Sequence, residues 1–167
     1  MKALLNATIE ICFLRRGPQD LPVSVHLMTL AVLMNLLVGV LMVVDAQLGI
    51  LRAVVQTLFE LALMLGALYA VLRLKGLLPR FTQAATALML SGFLLGMLAL
   101  PLVTWGQQSQ SAESGLLLLA VFIWGVVVFG HIIRHTFDVS INVGIAAALI
   151  YTLFAWNLVA AFFPVPV

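Results

Sequence analysis

The stretch "ILRAVVQTLFELALMLGALYAVL", residues 50–72, decides the fold class, because it is long and apolar enough to cross a membrane. As an α-helix it would extend roughly 35 Å at 1.5 Å per residue, against roughly 30 Å of bilayer hydrocarbon. Its one acid, Glu60, lies near the middle, where an acid costs about 2.5–3.5 kcal/mol to insert. Twelve Leu, Ile, Phe and Val residues contribute about 0.3–0.6 kcal/mol each. We therefore expect the segment to insert, with Glu60 facing protein or water.

Four further segments share this character, and the whole chain is poor in charge. Of its 167 residues 64% are apolar, with 8 Lys and Arg and 6 Asp and Glu, too few charges to cover a soluble surface. Basic residues are also too few for a nucleic-acid interface. We predict an all-α integral membrane protein whose residues 23–167 form one domain of five transmembrane helices. The expected spans are 26–44, 50–72, 84–105, 115–134 and 139–163.

Residues 1–22 are predicted to form a cytoplasmic amphipathic helix and a linker. Leu5, Ile9, Cys12 and Phe13 recur at helical spacing, which indicates a short helix lying on the membrane surface. Glu10 interrupts the apolar run, which argues against a cleavable signal peptide. Cys12 is the only cysteine, so an internal disulfide is excluded and a free thiol is expected.

The basic residues predict the orientation, because cytoplasmic loops carry an excess of Lys and Arg. If the spans alternate in direction, only Arg52 falls on the outer side. We therefore expect a cytoplasmic N-terminus and an outer C-terminus in a bacterial inner membrane. The basic residues on the cytoplasmic side would be Lys2, Arg15, Arg16, Arg73, Lys75, Arg80 and Arg134.

The layout resembles the Yip1 family of small five-span membrane proteins. The matching features are an amphipathic start, the element "GPQDLP" at residues 17–22, and five closely spaced spans. The order of the element differs from the family's usual Asp-Leu-aromatic-Gly-Pro, because here Gly-Pro comes first and the aromatic residue is missing. The resemblance implies a non-enzymatic protein that works through partners, with no catalytic residues to carry over.

Glu60 is predicted to belong to an intramembrane polar cluster. Arg52, Gln56 and Glu60 recur every four residues and so form one stripe along a helix. Asn35 in the first span and Asn157 in the fifth lie at comparable depths. We expect an Asn35–Glu60–Gln56 hydrogen-bond cluster that joins helices. Two alternatives remain open, in which Glu60 handles a proton or cation or contacts another subunit.

Three histidines could share one end of the helices. His131 and His135 are four residues apart, and His26 begins the first span at the same level. Histidines at this spacing can chelate a metal, but a third ligand is not evident. We expect hydrated interfacial histidines and no metal or cofactor.

Small residues indicate close helix packing at several positions. Gly92 and Gly96 form a GxxxG pair, and Gly144 with Ala148 repeats the spacing. Ala62, Gly66 and Ala70 form a stripe in the second span. The pattern leaves open whether the approaching helix belongs to this chain or to a partner.

No catalytic arrangement appears in the sequence. The leading hypothesis is a scaffold or accessory subunit that acts through other membrane proteins, with the lipid bilayer and a membrane partner or a second copy as its contacts. The alternative is a small proton, cation or solute transporter, or a channel subunit, that uses Glu60.

Overall fold

A computed structural model of the chain describes residues 2–44, 49–109 and 112–164. Over these residues the chain is all-helical, with two short 3-10 turns at Pro18–Asp20 and Leu78–Arg80. The last five helices are long and apolar enough to cross a membrane, as the sequence predicts. The helices are α1 (Lys2–Cys12), α2 (Val25–Val43), α3 (Ile50–Leu74), α4 (Phe81–Ser109), α5 (Ala112–Phe137) and α6 (Ile141–Phe162).

Local chemistry explains several of the helix boundaries. The hydroxyls of Ser24 and Ser140 cap α2 and α6 by accepting from the amides of Leu27 and Val143. Gly76 takes a positive φ of 69° just after α3, which favours glycine. The predicted third and fourth spans leave residues 106–114 as the loop between them. Most of these residues are helical instead, because α4 runs to Ser109 and α5 begins at Ala112. Residues 110 and 111 between them, and most of the predicted turn at 45–49, lie outside the described residues.

Helix α4 is the centre of the bundle and packs against α1, α2 and α5, while α6 packs mainly on α5. Helix α2 packs closely against the two GxxxG glycines of α4. A Cβ on Gly92 would lie 2.5 Å from Asn35 Nδ2, and one on Gly96 would lie 2.6 Å from Val38 Cγ1. A Cβ on Gly39 would likewise collide with Thr57 of α3. These glycines bring α2 close to both α3 and α4.

Helices α5 and α6 cross at Gly130 and Gly144. A Cβ on Gly130 would lie 2.7 Å from the Ile145 backbone, and one on Gly144 would meet the Gly130 carbonyl oxygen. Ala148, one turn further along α6, is fully buried. The small residues predicted in the fifth span therefore face α5 within the chain.

The stripe on α3 behaves differently. Ala62, Gly66 and Ala70 are all exposed, and a Cβ on Gly66 would meet nothing within 4 Å. Because these residues face away from the rest of the chain, the stripe is an uncovered surface.

Helix α1 packs along the side of α4 and α5. Ala7, Thr8, Ile11 and Cys12 are buried, and the Trp124 indole donates to the Cys12 carbonyl at 3.1 Å. Trp124 precedes the end of α5 by 13 residues, about 20 Å along the helix axis. These contacts place the end of α1 against the middle of α5, and the position of this helix on the membrane surface stays a prediction.

Contacts at the two ends show which residues share a side of the bundle. Arg80 at the start of α4 pairs with Asp138 after α5 at 2.6 Å. At the opposite end, Arg52 at the start of α3 donates to Phe163 and Pro164 after α6. We call these the basic end and the Arg52 end.

Candidate functional site

A groove separates α3 from α6, since these two helices have few contacts with one another. Toward the Arg52 end the groove widens into a cavity of about 710 Å³, which we call the Glu60 cavity. Helices α2 to α6 all contribute to its lining. The polar residues that line it are Asn35, Arg52, Gln56, Thr57, Glu60, Tyr151 and Thr152.

Glu60 has one hydrogen-bonding partner among the described residues, and that partner belongs to its own helix. The Gln56 amide donates to Glu60 Oε1 at 3.0 Å, which the four-residue spacing on α3 allows. An ionised carboxylate has about four acceptor positions. The Gln56–Glu60 bond does not tie α3 to another helix, and it leaves acceptor capacity at Glu60 for a further donor.

Asn35 lines the same cavity, but its side chain bonds to α4 and not to Glu60. Its Nδ2 donates to the Met89 carbonyl at 3.0 Å, against the side of α4 that Gly92 leaves open. Within the described part of the chain no hydrogen bond joins Asn35 to Glu60. Asn35 therefore links α2 to α4, while Glu60 still faces the cavity.

The other two members of the predicted cluster lie further away. Arg52 lines the mouth of the cavity, where its Nη2 donates to the carbonyl of Phe163 at 3.0 Å and so holds the end of α6. Asn157 is exposed and donates to the Leu153 carbonyl of its own helix at 2.7 Å. Four of the five predicted residues thus line one cavity, and Asn157 does not.

Thr57 is a polar residue at this site that the sequence prediction missed. Its side chain is 2% exposed, and Oγ1 has no hydrogen-bonding partner among the described residues. Buried threonines in helices commonly donate to the carbonyl four residues earlier, as Thr86 and Thr136 do here. The sequence could have predicted that Thr57 lies beside Glu60, because residues three apart share a helix face.

Aromatic rings line much of the remaining wall. Phe129 and Tyr151 pack edge to face with centroids 5.6 Å apart, and Trp156 and Phe163 also line the cavity. Phe59 of α3 contacts Phe163 at 5.7 Å, close to the Arg52 end. Nothing in the single sequence distinguishes these rings from the many other apolar residues that face the lipid or the core.

A second cavity of about 470 Å³ continues the groove toward the basic end. It shares Met64, Leu88, Phe129 and Tyr151 with the Glu60 cavity, so the two are neighbours along one groove. We call it the Lys75 cavity, after the one charged residue in its lining.

The histidines hold the N-terminal segment in place. His131 is buried, and its Nε2 lies 2.9 Å from the Arg16 carbonyl, with the His135 ring 4.5 Å away between centroids. His26 is exposed at the start of α2. No group of three or more His, Cys, Asp or Glu able to hold a metal occurs within residues 2–44, 49–109 and 112–164.

The element "GPQDLP" docks at the basic end. The Gln83 amide donates to the carbonyls of Gln19 at 3.2 Å and Leu21 at 2.7 Å. Leu21 is 2% exposed, and Asp20 accepts from the Gly17 amide at 3.0 Å. These contacts fix the chain between α1 and α2 against the start of α4.

The chain matches no protein-family model, no curated protein and no solved structure. The resemblance to the Yip1 family therefore rests on layout and remains an expectation.

Proposed function

We propose that the chain is a non-enzymatic, multi-pass membrane protein that binds a small organic cation in the Glu60 cavity, as a transporter or a transporter subunit. One observation carries the proposal: the Glu60 carboxylate, several aromatic rings and the Thr57 hydroxyl, which has no partner among the described residues, line a single cavity of about 710 Å³. Ligand cavities commonly measure about 300–1,000 Å³ and combine apolar walls with a few polar groups.

The charge distribution favours a cation over an anion. The carboxylate of Glu60 supplies a counter-charge near the middle of α3, where an uncompensated acid is costly. Phe129, Tyr151 and Trp156 provide aromatic rings, whose faces attract cations. Arg52 lines the mouth of the same cavity about 12 Å away by helical rise, where its Nη2 donates to carbonyls at the end of α6 and its Nε is buried without a hydrogen-bonding partner among the described residues.

The pair formed by Gln56 and Glu60 also supports a ligand over a purely structural role. An interhelical hydrogen bond would join α3 to a neighbour, whereas this bond stays within α3. The hydroxyl of Thr57, buried beside the pair without a partner, would gain a hydrogen bond from a bound solute or its water.

Equilibrium binding of radiolabelled tetraphenylphosphonium, a lipophilic monovalent cation, to the full chain in detergent tests the proposal. We expect saturable binding that Glu60→Gln weakens roughly 10- to 100-fold, the loss of one unit charge about 6–10 Å from the phosphonium centre at an effective dielectric constant of about 20. Glu113→Gln is the matched control, because Glu113 is exposed and lies outside the cavity lining. Equal binding by wild type and Glu60→Gln would overturn the proposal.

A second function, that of an accessory subunit, is favoured by the uncovered stripe on α3. Ala62, Gly66 and Ala70 would let the backbone of a partner helix approach closely. Gentle detergent extraction should then recover a stoichiometric membrane partner or a homo-oligomer, and Gly66→Leu should release it. Recovery of the same monomer from wild type and Gly66→Leu would contradict the accessory function.

A further inference from the structure

We propose that the Lys75 cavity binds one acyl chain of an anionic phospholipid from the leaflet at the basic end, with the lipid phosphate at Lys75. Apart from Lys75 and Tyr151, every residue that lines this cavity is apolar. Helices α3 and α6, which flank the cavity, have few contacts with one another, so a lipid could enter between them from the bilayer. The proposal does not depend on the ligand proposed for Glu60.

Three helices shape this cavity into an elongated slot. Helix α6 contributes Val143, Ala147 and Tyr151, which are four residues apart and so lie along one face, and Val139 lies two residues before this helix. Helix α5 contributes residues 129, 133 and 137 at the same spacing, and α3 forms the opposite wall. The walls are therefore continuous apolar stripes that run parallel to the helices.

The length of the slot matches one leaflet. From Met64 to Lys75 the α3 wall extends about 17 Å by helical rise, and from Val143 to Tyr151 the α6 wall extends about 12 Å, with Val139 continuing it before the helix begins. Half of the roughly 30 Å hydrocarbon core is about 15 Å. A single acyl chain that enters at the basic end would thus reach the level of Tyr151, where the polar cavity begins.

The charge at the mouth selects the headgroup. Lys75 is exposed just after α3, and among the described residues it has no ion-pair partner. Its flexible stem can lie along the apolar wall while the ammonium reaches the headgroup level. A basic residue near an anionic membrane surface favours acidic lipid by about 1 kcal/mol, or about five-fold.

Native mass spectrometry of the full chain, with phosphatidylglycerol and phosphatidylcholine of identical acyl chains, tests the headgroup. We expect about five-fold preferential retention of phosphatidylglycerol, and loss of that preference in Lys75→Gln. Arg73→Gln is the matched control, because Arg73 is exposed near the same end of α3 but does not line the cavity. An unchanged preference in Lys75→Gln would overturn the assignment of the phosphate.

A second pair of variants tests the acyl-chain slot. Ala147→Trp would fill the cavity, whereas Ala146→Trp places the same bulk on the exposed neighbouring position. We expect Ala147→Trp to lose the retained lipid and Ala146→Trp to keep it, with both variants monodisperse on size exclusion. Equal lipid retention by the two variants would overturn the proposal. Co-purification of a protein bound in the slot would also overturn it. Glu60→Gln should still retain the lipid, which separates this test from that of the cation site.

Discussion

Thr57 and Glu60 lie three residues apart on α3 and line the same cavity. The Glu60 side chain has a hydrogen-bonding partner, whereas the Thr57 hydroxyl has none among the described residues. An unsatisfied buried hydroxyl costs about 1–3 kcal/mol relative to its hydrated form. The side chain cannot simply turn outward, because its methyl group occupies the space that Gly39 leaves. Close packing of α2 on α3 therefore places a polar group at the cavity without a protein partner.

This arrangement predicts that Thr57→Val stabilises the chain in the absence of ligand. Replacing the unpartnered hydroxyl by a methyl group should raise the midpoint of thermal unfolding in detergent, because a desolvation cost of about 1–3 kcal/mol disappears. Thr86→Val is the matched control, since Thr86 is equally buried but donates to the Thr82 carbonyl at 2.6 Å. A lower midpoint for Thr57→Val, similar to that of Thr86→Val, would contradict the prediction.

Cys12 gives a second prediction for a single residue. Burial raises the pKa of its thiol from 9.0 to about 11, so the reactive thiolate is scarce at neutral pH. At pH 8 about one molecule in a thousand carries the thiolate, by the tenfold change per pH unit. We therefore expect slow maleimide labelling at pH 8 that accelerates as pH rises toward 11.

Trp124, whose indole donates to the Cys12 carbonyl, gives a variant that should change this labelling. Trp124→Phe removes the indole donor and should loosen the end of α1, so labelling at pH 8 should become faster. Labelling of the folded wild type at the rate of the denatured chain would show that Cys12 is not buried against α4 and α5.

The crossing of α5 and α6 leaves no room for an added methyl group at Gly144. Gly144→Ala should lower the unfolding midpoint, because the added methyl meets the Gly130 carbonyl, and overpacking costs about 1–3 kcal/mol or more. Gly66→Ala makes the same change where nothing lies within 4 Å, and should be neutral or stabilising by up to about 1 kcal/mol. Similar midpoints for both variants would show that α5 and α6 do not cross at these glycines.

Sequence patterns indicate where helices can approach but not which helix approaches. Gly92, Gly96 and Gly144 pack within the chain, whereas Gly66, in an equivalent pattern, does not. Small residues only remove the steric barrier between two backbones. The choice among possible neighbours depends on the whole bundle, which one sequence without its fold does not specify.

The placement of α1 has a similar cause. Leu5, Ile9 and Phe13 of the predicted apolar stripe are exposed, whereas its fourth member, Cys12, is buried together with Ala7 and Ile11. The outward face therefore mixes these apolar residues with the exposed Asn6 and the partly exposed Glu10. The sequence predicts the amphipathic pattern, but which face meets α4 and α5 depends on the packed bundle.

For the whole molecule, the sequence predicted the helices well and the site in part. Long apolar segments between short polar turns give the five helices directly, and period-four spacing gives the Gln56–Glu60 pair. The cavity depends on α3 and α6 standing apart, which follows from α2 and α5 occupying the sides of α4. That arrangement is a property of the packed bundle, so Tyr151 and Phe129 could not be recognised beforehand.

Orientation is the prediction that belongs to the molecule as a whole, because it determines which leaflet meets Lys75 and from which side a cation would reach Glu60. Seven of the eight Lys and Arg residues are expected on the cytoplasmic side. Single-cysteine variants in a Cys12→Ala background test it. Glu113 and Ser140 are exposed at opposite ends of the bundle, next to the starts of α5 and α6. In intact cells a membrane-impermeant maleimide should label Glu113→Cys, and should label Ser140→Cys only after permeabilisation. The reverse pattern would place the basic end outside, and the lipid at Lys75 would then have to come from the outer leaflet.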